Sequence, residues 1–204
     1  MIRATLIDSM GSDLSVVNAA RVSFGKKSEA FLEGDARLIK YLAKHKHISP
    51  FGHCFMSFHV KAPIYVARQL VKHSYLRWNE VSRRYVDDEP EFYQPDVWRG
   101  RSADKKQGSS DEEIKGIHTD ATLAYVKSLY NHMLSEGVAP EQARMVLPQS
   151  TMTEWHCSGS LDAFANMCRL RCASDTQYET RVVADQISSK VLELFPVSWE
   201  ALTA

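Results

Sequence analysis

Between Cys54 and Ser74 the spacing of apolar residues changes from a period of two to a helical period, and the change falls at a proline. Cys54, Met56, Phe58 and Val60 alternate with Phe55, Ser57 and His59, which sets four apolar side chains on one face of an extended strand. From Pro63 the run IYVARQLVKHS has helical spacing, and proline suits the first helical residue because the N–H it lacks would have no partner there. A strand that passes straight into a helix needs both kinds of element around one core, so the expected class is α+β.

The remaining segments fit that class. Ile2 to Met10 reads as a strand, and Asp13 as the cap of a helix through Val16, Val17, Ala20 and Val22. A second helix starts near Asp35 and stops at the turn Ser49-Pro50-Phe51-Gly52. Residues 86–113 are rich in proline, glycine and charge and read as a surface excursion, either a lid or a loop. Ser110 is expected to open a long helix to Glu136, with Ile114, Ile117, Ala121, Tyr125, Leu129 and Met133 near one stripe. Pro140 begins a shorter helix stopped by Pro148, TMTEWHCSGS is extended, and LDAFANMCRLRCA is helical. A capping box at Ser174–Gln177 introduces a final helix that carries Val182, Val183, Ile187, Val191 and Leu194 before Pro196. The expectation is one domain over residues 1–204, helix-rich with a small sheet.

Charge narrows the function classes. The chain has 25 Lys and Arg against 25 Asp and Glu, so no overall field draws it to nucleic acid or to a membrane. Arg3, Asp8 and Asp13 interrupt the apolar runs near Met1, and no stretch approaches the length of a membrane span, which favours a cytoplasmic protein. Cys54, Cys157, Cys168 and Cys172 lack CxxC spacing and are expected to be reduced, without disulfides or structural zinc.

Against this neutral background, KHSYLRWNEVSRRY at residues 72–85 packs Lys72, His73, Arg77, Arg83 and Arg84 around a single carboxylate, Glu80. A cation-rich stretch is often only a solvated face. Here Asn79, Glu80 and Ser82 add hydrogen-bonding groups, Trp78 and Tyr75 add flat apolar surface, and Arg144 and Arg171 lie in apolar helical segments where an unpaired guanidinium is costly to bury. A phosphate would answer that surplus, because arginine forks match its oxygens while serine and backbone N–H groups complete the shell. A planar base would then meet Gln69 or Asn79 at its edge. Neither a Walker loop nor GxGxxG occurs. His45, His47 and His53 are interleaved with lysine and lack a completing carboxylate or cysteine, so no metal site is expected. Cys168 and Cys172, one turn apart, read as core residues, and no serine sits in GxSxG.

These residues carry a resemblance. LIDSMGSDLSVVNAARVSF, HISPFGHCFMSFHVKAPIYVARQLVKH, NEVSRRY, QARMVLP, Leu170-Arg171, TQYETR and FPVSWEAL follow one another in the order found in the flavin-dependent thymidylate synthases, and the similarity runs nearly end to end. That family's signature is Arg-His-Arg, seven residues, then Ser, within a pattern ending Asn-Glu-x-Ser-x-Arg-Tyr. The matching positions are Lys72, His73, Ser74 and Ser82, with Asn79, Glu80, Arg84 and Tyr85 present. Two signature residues differ, since Lys72 lacks the planar fork and Ser74 lacks the charge.

The resemblance implies C5 methylation of deoxyuridylate (dUMP) to thymidylate, with methylenetetrahydrofolate as carbon donor and FAD and NADPH as the reducing cofactors. It implies dUMP contacts from Gln69, Glu80, Ser82, Arg83, Arg84, Arg144 and Arg171, and a charge-stabilising catalytic role for Arg171 beside the pyrimidine. FAD contacts would come from Ser23, His47, Ser49, Lys72, His73, Ser74, Glu80 and Asn166. Arg77 joins them if the helix continues past Ser74, because residue 77 then lies one turn further along the same face. In an extended segment it cannot reach back. Sites shared within a homotetramer are also implied, and no enzyme nucleophile is required, in keeping with cysteines that look unactivated. A related C5 modification such as hydroxymethylation, action on another pyrimidine nucleotide, and a non-catalytic nucleotide or single-strand binder are the alternatives.

Overall fold

The alternation from Cys54 becomes the central strand of the protein. In the computed structural model, which describes residues 1–86, 88–104 and 108–204, the elements run β1 (Arg3–Met10), α1 (Asp13–Arg21), α2 (Glu33–Lys44), β2 (Phe55–Pro63), α3 (Ile64–Leu70), β3 (Arg77–Glu80), β4 (Trp98–Arg101) and β5 (Ser109–Ile114). They continue with α4 (Asp120–Ser135), α5 (Pro140–Ala143), β6 (Met152–Ser160), α6 (Leu161–Arg171), α7 (Tyr178–Leu194) and α8 (Pro196–Thr203). Four strands form an antiparallel sheet in the order β1-β2-β6-β3, and β4 and β5 form a separate hairpin. The fold is α+β and helix-rich, with small antiparallel sheets.

Register explains why one face of the sheet is buried. Met56, Phe58 and Val60 stand opposite Gly159, Cys157 and Trp155, so small and large apolar groups interlock. Phe58 meets Phe164 of α6 at 5.3 Å between ring centroids, and Leu161, Met167, Val183 and Ile187 close the layer. Each such side chain contributes about 1.5–3 kcal/mol by leaving water. The other face of β2 and β6 is polar, pairing Ser57 with Ser158, His59 with His156 and Lys61 with Glu154.

Several local expectations are corrected. Pro63 ends β2 rather than opening a helix; it is extended at φ −64° and ψ 153°, and its neighbour Ile64 donates to the Thr151 carbonyl. Asp13 does not cap α1. It is buried, and its carboxylate accepts from the N–H groups of Val197 and Ser198 at 2.9 Å each, capping α8. Val22 falls outside α1 in a short 3-10 turn and is 73% exposed.

The long helix expected from Ser110 begins at Asp120, because Gly116 takes a left-handed φ of 79° that ends any helical run. Ser109–Ile114 is a strand instead. It packs so closely on β4 that a Cβ on Gly100 would lie 2.8 Å from Ser110 and Glu112 side-chain atoms. The 86–113 stretch therefore holds a hairpin, tied to the body by a bridge between Phe92 and Thr151 and by Arg99 on Glu179. Asp87 and residues 105–107 of that stretch lie outside the described residues. On α4 the buried residue is Tyr130, whereas Tyr125 is exposed.

Ser174 is not the N-cap of the final helix, a position that falls to Gln177. Thr176 donates its hydroxyl to the Leu170 carbonyl and Arg181 donates to the Ser174 carbonyl, so the segment closes α6 and α7 begins at Tyr178. Pro196 does not end the helical structure but starts α8 as its first residue.

Candidate functional site

The segment from α3 to Tyr85 sets out the predicted residues. α3 ends at Leu70, and Lys72 to Ser74 lie in a turn in which His73 N–H donates to the Leu70 carbonyl. Tyr75 takes a left-handed φ of 69°, an uncommon conformation for a non-glycine residue, and redirects the chain into β3. Arg77 is therefore on a strand, and it does not stack one helical turn above Ser74. The helical route for replacing the missing signature charge is closed within this chain.

β3 lies against β6 and orients Glu80. Its Oε1 accepts from the Thr153 hydroxyl at 2.9 Å and its Oε2 from the Trp78 indole at 3.2 Å. Trp78 is itself stacked on the buried Trp155 at 4.6 Å and 21°. Beyond Glu80 the chain tightens: the Ser82 carbonyl accepts from the N–H groups of Tyr85 and Val86, and Ser82 Oγ accepts from Arg84 N–H at 3.3 Å. The N–H groups of Ser82 and Arg83 donate to no group among the described residues. Adjacent N–H donors in a tight turn form a concavity suited to an anion. Arg83 pairs with Asp88 at 3.1 Å, Arg84 lies over the Tyr85 ring at 5.2 Å, and Arg144 is exposed with its Nε directed to the Glu141 carbonyl. The premise that Arg144 is buried in a helix is thus corrected, because α5 stops at Ala143 and Arg144 enters a 3-10 turn on the surface. Glu80, Ser82, Arg83 and Arg144 line one cavity of about 1100 Å³.

Gln69 and Arg171 line a second cavity, of about 820 Å³, together with Lys72, Tyr65, Trp98 and Arg99. Among the described residues Arg68 is the one that lines both. Arg171, at the end of α6, is half-buried and satisfied by neutral acceptors: Nε donates to His73 Nε2 at 2.9 Å and Nη2 to the Gln69 carbonyl at 3.3 Å. Burial first, and the Arg171 charge second, hold the His73 pKa below its usual range. Burial also lowers that of Arg171.

The expected flavin residues are spread more widely. Asn166 lies on α6 and lines a third cavity of about 760 Å³ with the cations Lys40, Lys44, Lys46 and Arg169, the carboxylates Asp162 and Glu200, and apolar residues that include Ile48 and Leu202. The four cations outnumber the two carboxylates, and with the apolar residues they suit a dinucleotide, whose diphosphate is anionic and whose rings are flat. Ser23, in the 3-10 turn after α1, and His47 and Ser49, after α2, are exposed, and none of the three lines any of these cavities. One chain thus brings together neither the whole nucleotide set nor the whole flavin set.

All four cysteines are free thiols. Burial pushes Cys54 up to about 11 and Cys157 up to about 12, and Cys168 is raised by its hydrogen bond with Cys172 and by burial. Nucleophilic thiols are shifted the other way. His45 and His47, weighed as metal ligands, pack on Tyr41 at 4.3 and 6.1 Å between ring centroids.

Thr153 and Arg99 escaped the reading of the sequence, Trp78 was read as flat apolar surface and not as a donor to Glu80, and Gln177, Glu179 and Thr180 entered only within the run TQYETR. The run TQYETR did hold a signal, a glutamate and two hydroxyl residues at the start of an apolar helix, but their partners are far away in the chain.

Fold and surface together define the class: an antiparallel α+β protein with two cavities that meet at Arg68 of α3 and are lined by arginines and other polar groups among apolar ones. Comparison with known proteins supplies the family. The model of the thymidylate synthase complementing protein family matches residues 5–197. A flavin-dependent thymidylate synthase of Thermus thermophilus is 40% identical over 204 residues, covering 96% of this chain and 73% of the relative. One of Thermosipho africanus is 39% identical, covering 96% and 88%. Among solved structures, a UMP/dUMP methylase, PolB, from Streptomyces cacaoi, bound with 5-Br dUMP, is similar with a TM-score of 0.85 and 34% identity, covering 100% of this chain and 95% of that one. The chain belongs to the flavin-dependent thymidylate synthase family.

Proposed function

We propose that this protein methylates dUMP at C5 to form dTMP, with methylenetetrahydrofolate as carbon donor and FAD and NADPH as the reducing cofactors. The observation that carries the reading is the division of the nucleotide set. Glu80, Ser82, Arg83 and Arg144 line one cavity, and Gln69 and Arg171 line another. A homotetramer that sets the first face of one subunit against the second face of its neighbour would complete the set, with 1–204 acting as one unit. The polar face of the Ser82 turn would take the phosphate through its N–H groups and Arg84. Arg171, fixed by His73, would stand by the pyrimidine and stabilise negative charge as C5 becomes nucleophilic. Asn166 and the surrounding lysines suit FAD, which when bound and reduced supplies hydride equivalents. The high thiol pKa values support a route without a cysteine nucleophile. No helix is long and apolar enough to cross a membrane among the described residues, and the proposed compartment is the cytoplasm.

The test is mass-spectrometric product analysis with dUMP, methylenetetrahydrofolate, NADPH and FAD, and with each left out in turn. Thymidylate that forms only with folate and FAD supports the reading; a folded, flavin-loaded protein that forms none refutes it. A second reading, action on UMP as well or a related C5 modification such as hydroxymethylation, is favoured by Ser74 in place of the signature arginine and by the similar UMP/dUMP methylase. Product mass with UMP separates the two. Retained nucleotide binding without turnover would mark a non-catalytic relative.

A further inference from the structure

The Gln69 side chain belongs to a line of hydrogen bonds that can run in only one direction. Arg99 of β4 pairs with Glu179 Oε1, and Gln177 Nε2 donates to Glu179 Oε2 at 3.2 Å. A carboxylate in an ion pair accepts and does not donate, so Gln177 must turn its NH2 toward Glu179 and its oxygen toward Gln69. Gln69 Nε2 donates to that oxygen at 2.5 Å, and Gln69 Oε1 accepts from the Thr180 hydroxyl at 3.1 Å. Flipping the Gln177 amide would set its oxygen against the carboxylate and its NH2 against the NH2 of Gln69. Glu179 is 4% exposed and Thr180 0%, so water does not easily replace a lost partner.

This order matters because Gln69 lines the same cavity as Arg171. With one N–H and one lone pair engaged, each end of the amide retains a single valence, an acceptor and a donor in fixed sequence. A free amide can read two kinds of edge by rotating half a turn. A locked one reads a single kind. Uracil offers N3–H beside a carbonyl oxygen, whereas cytosine in the same pose offers a bare N3 beside an NH2, which reverses both contacts. A nucleotide whose phosphate is gripped elsewhere cannot turn its base over to compensate.

We infer that Glu179, acting through Gln177 and opposed by Thr180, is a positioning residue for base specificity: it locks the Gln69 amide in the orientation that accepts uracil nucleotides and rejects cytosine nucleotides. The inference rests on the proposed use of this cavity for the nucleotide base.

The test is equilibrium binding of dUMP and dCMP to the FAD-loaded protein, in wild type, Gln177→Met and Glu179→Gln, with melting temperature and dTMP formation measured alongside. Gln177→Met leaves the Arg99–Glu179 pair in place, so the hairpin keeps its anchor. Wild type is expected to prefer dUMP by roughly 100-fold or more, because a site built to hydrogen-bond one pattern leaves buried groups unpaired with the other. In both variants that preference is expected to fall by roughly tenfold, the scale of one lost orienting hydrogen bond. A folded Gln177→Met protein with unchanged preference overturns the inference while leaving dTMP formation by wild type intact. Wild type that binds neither nucleotide and forms no dTMP overturns the functional reading and the inference together.

Discussion

The Arg171 guanidinium is held by His73, its Nε donating to the imidazole Nε2 at 2.9 Å. A guanidinium has no lone pair to offer, so His73 must be neutral with its proton on Nδ1. Burial and the neighbouring Arg171 charge keep it so by lowering its pKa from the usual 6.5. For a histidine with a depressed native pKa, stability is fully present above 6.5. It falls as pH drops below that value, because the unfolded imidazole takes a proton that the native one resists. The same protonation removes the acceptor from Arg171. We expect kcat/KM for dUMP to fall on the acid side, below pH 6.5, and His73→Gln, which keeps an acceptor oxygen and cannot titrate, to flatten that limb. A pH–rate profile of both proteins decides it; an identical acid limb in His73→Gln would assign the proton to another group.

Replacing Arg171 separates charge from geometry. Arg171→Lys keeps a cation but loses the fork that reaches both His73 and the Gln69 carbonyl. Both Arg171→Lys and Arg171→Ala are therefore expected to lower kcat/KM for dUMP by about 100-fold or more, the range for loss of a preorganised donor. Melting curves should move little, since the guanidinium makes two hydrogen bonds, to the last turn of α3 and to the His73 side chain, and is only half-buried. Kinetics close to wild type in either variant would remove Arg171 from the chemistry.

The exposed Ser74 stands where the family signature has arginine, and Arg77 is directed along β3 instead of up a helix. The helical route by which Arg77 would replace the missing charge is thus closed. Ser74→Arg is expected to tighten FAD binding by roughly three- to tenfold, one charge-assisted contact at a partly exposed site. Flavin fluorescence titration measures it. Weaker binding would mean that a cation from a neighbouring subunit already fills the space.

What could be read in the chain was whatever repeats at short range. β2 announced itself because Met56, Phe58 and Val60 alternate, and α2 and α7 because apolar residues recur at helical spacing. Residues whose role depends on a distant partner gave no such signal. Thr153 holds Glu80 from across the sheet, and Glu179 orders Gln177 only because Arg99 arrives from the hairpin. The same limit produced the helix expected from Ser110: EEIKGI has helical spacing, and only pairing with β4 and the turn at Gly116 decide for a strand. For the site, the arginines and Ser82 stood out by composition, but nothing local indicated that Arg144 would be exposed or that Arg171 would find a neutral imidazole.

Asp13 offers a test of the fold that is independent of catalysis. Its carboxylate accepts from the N–H groups of Val197 and Ser198 in the first turn of α8, far from it in sequence, and it is buried there. Those N–H groups have no partner within the helix. α8 in turn buries Trp199 and Leu202, so loosening its start exposes part of the core between α2 and α6. Asp13→Ala is expected to cost about 2 kcal/mol, as for a lost cap with two buried donors left unpaired. In a chain of this size that corresponds to a Tm lower by roughly 4–8 °C. Asp13→Asn keeps one acceptor oxygen and should lose about half as much. Dye-monitored melting of the three proteins at constant concentration tests the claim; an unchanged Tm in Asp13→Ala would mean that α8 is held by its apolar face alone.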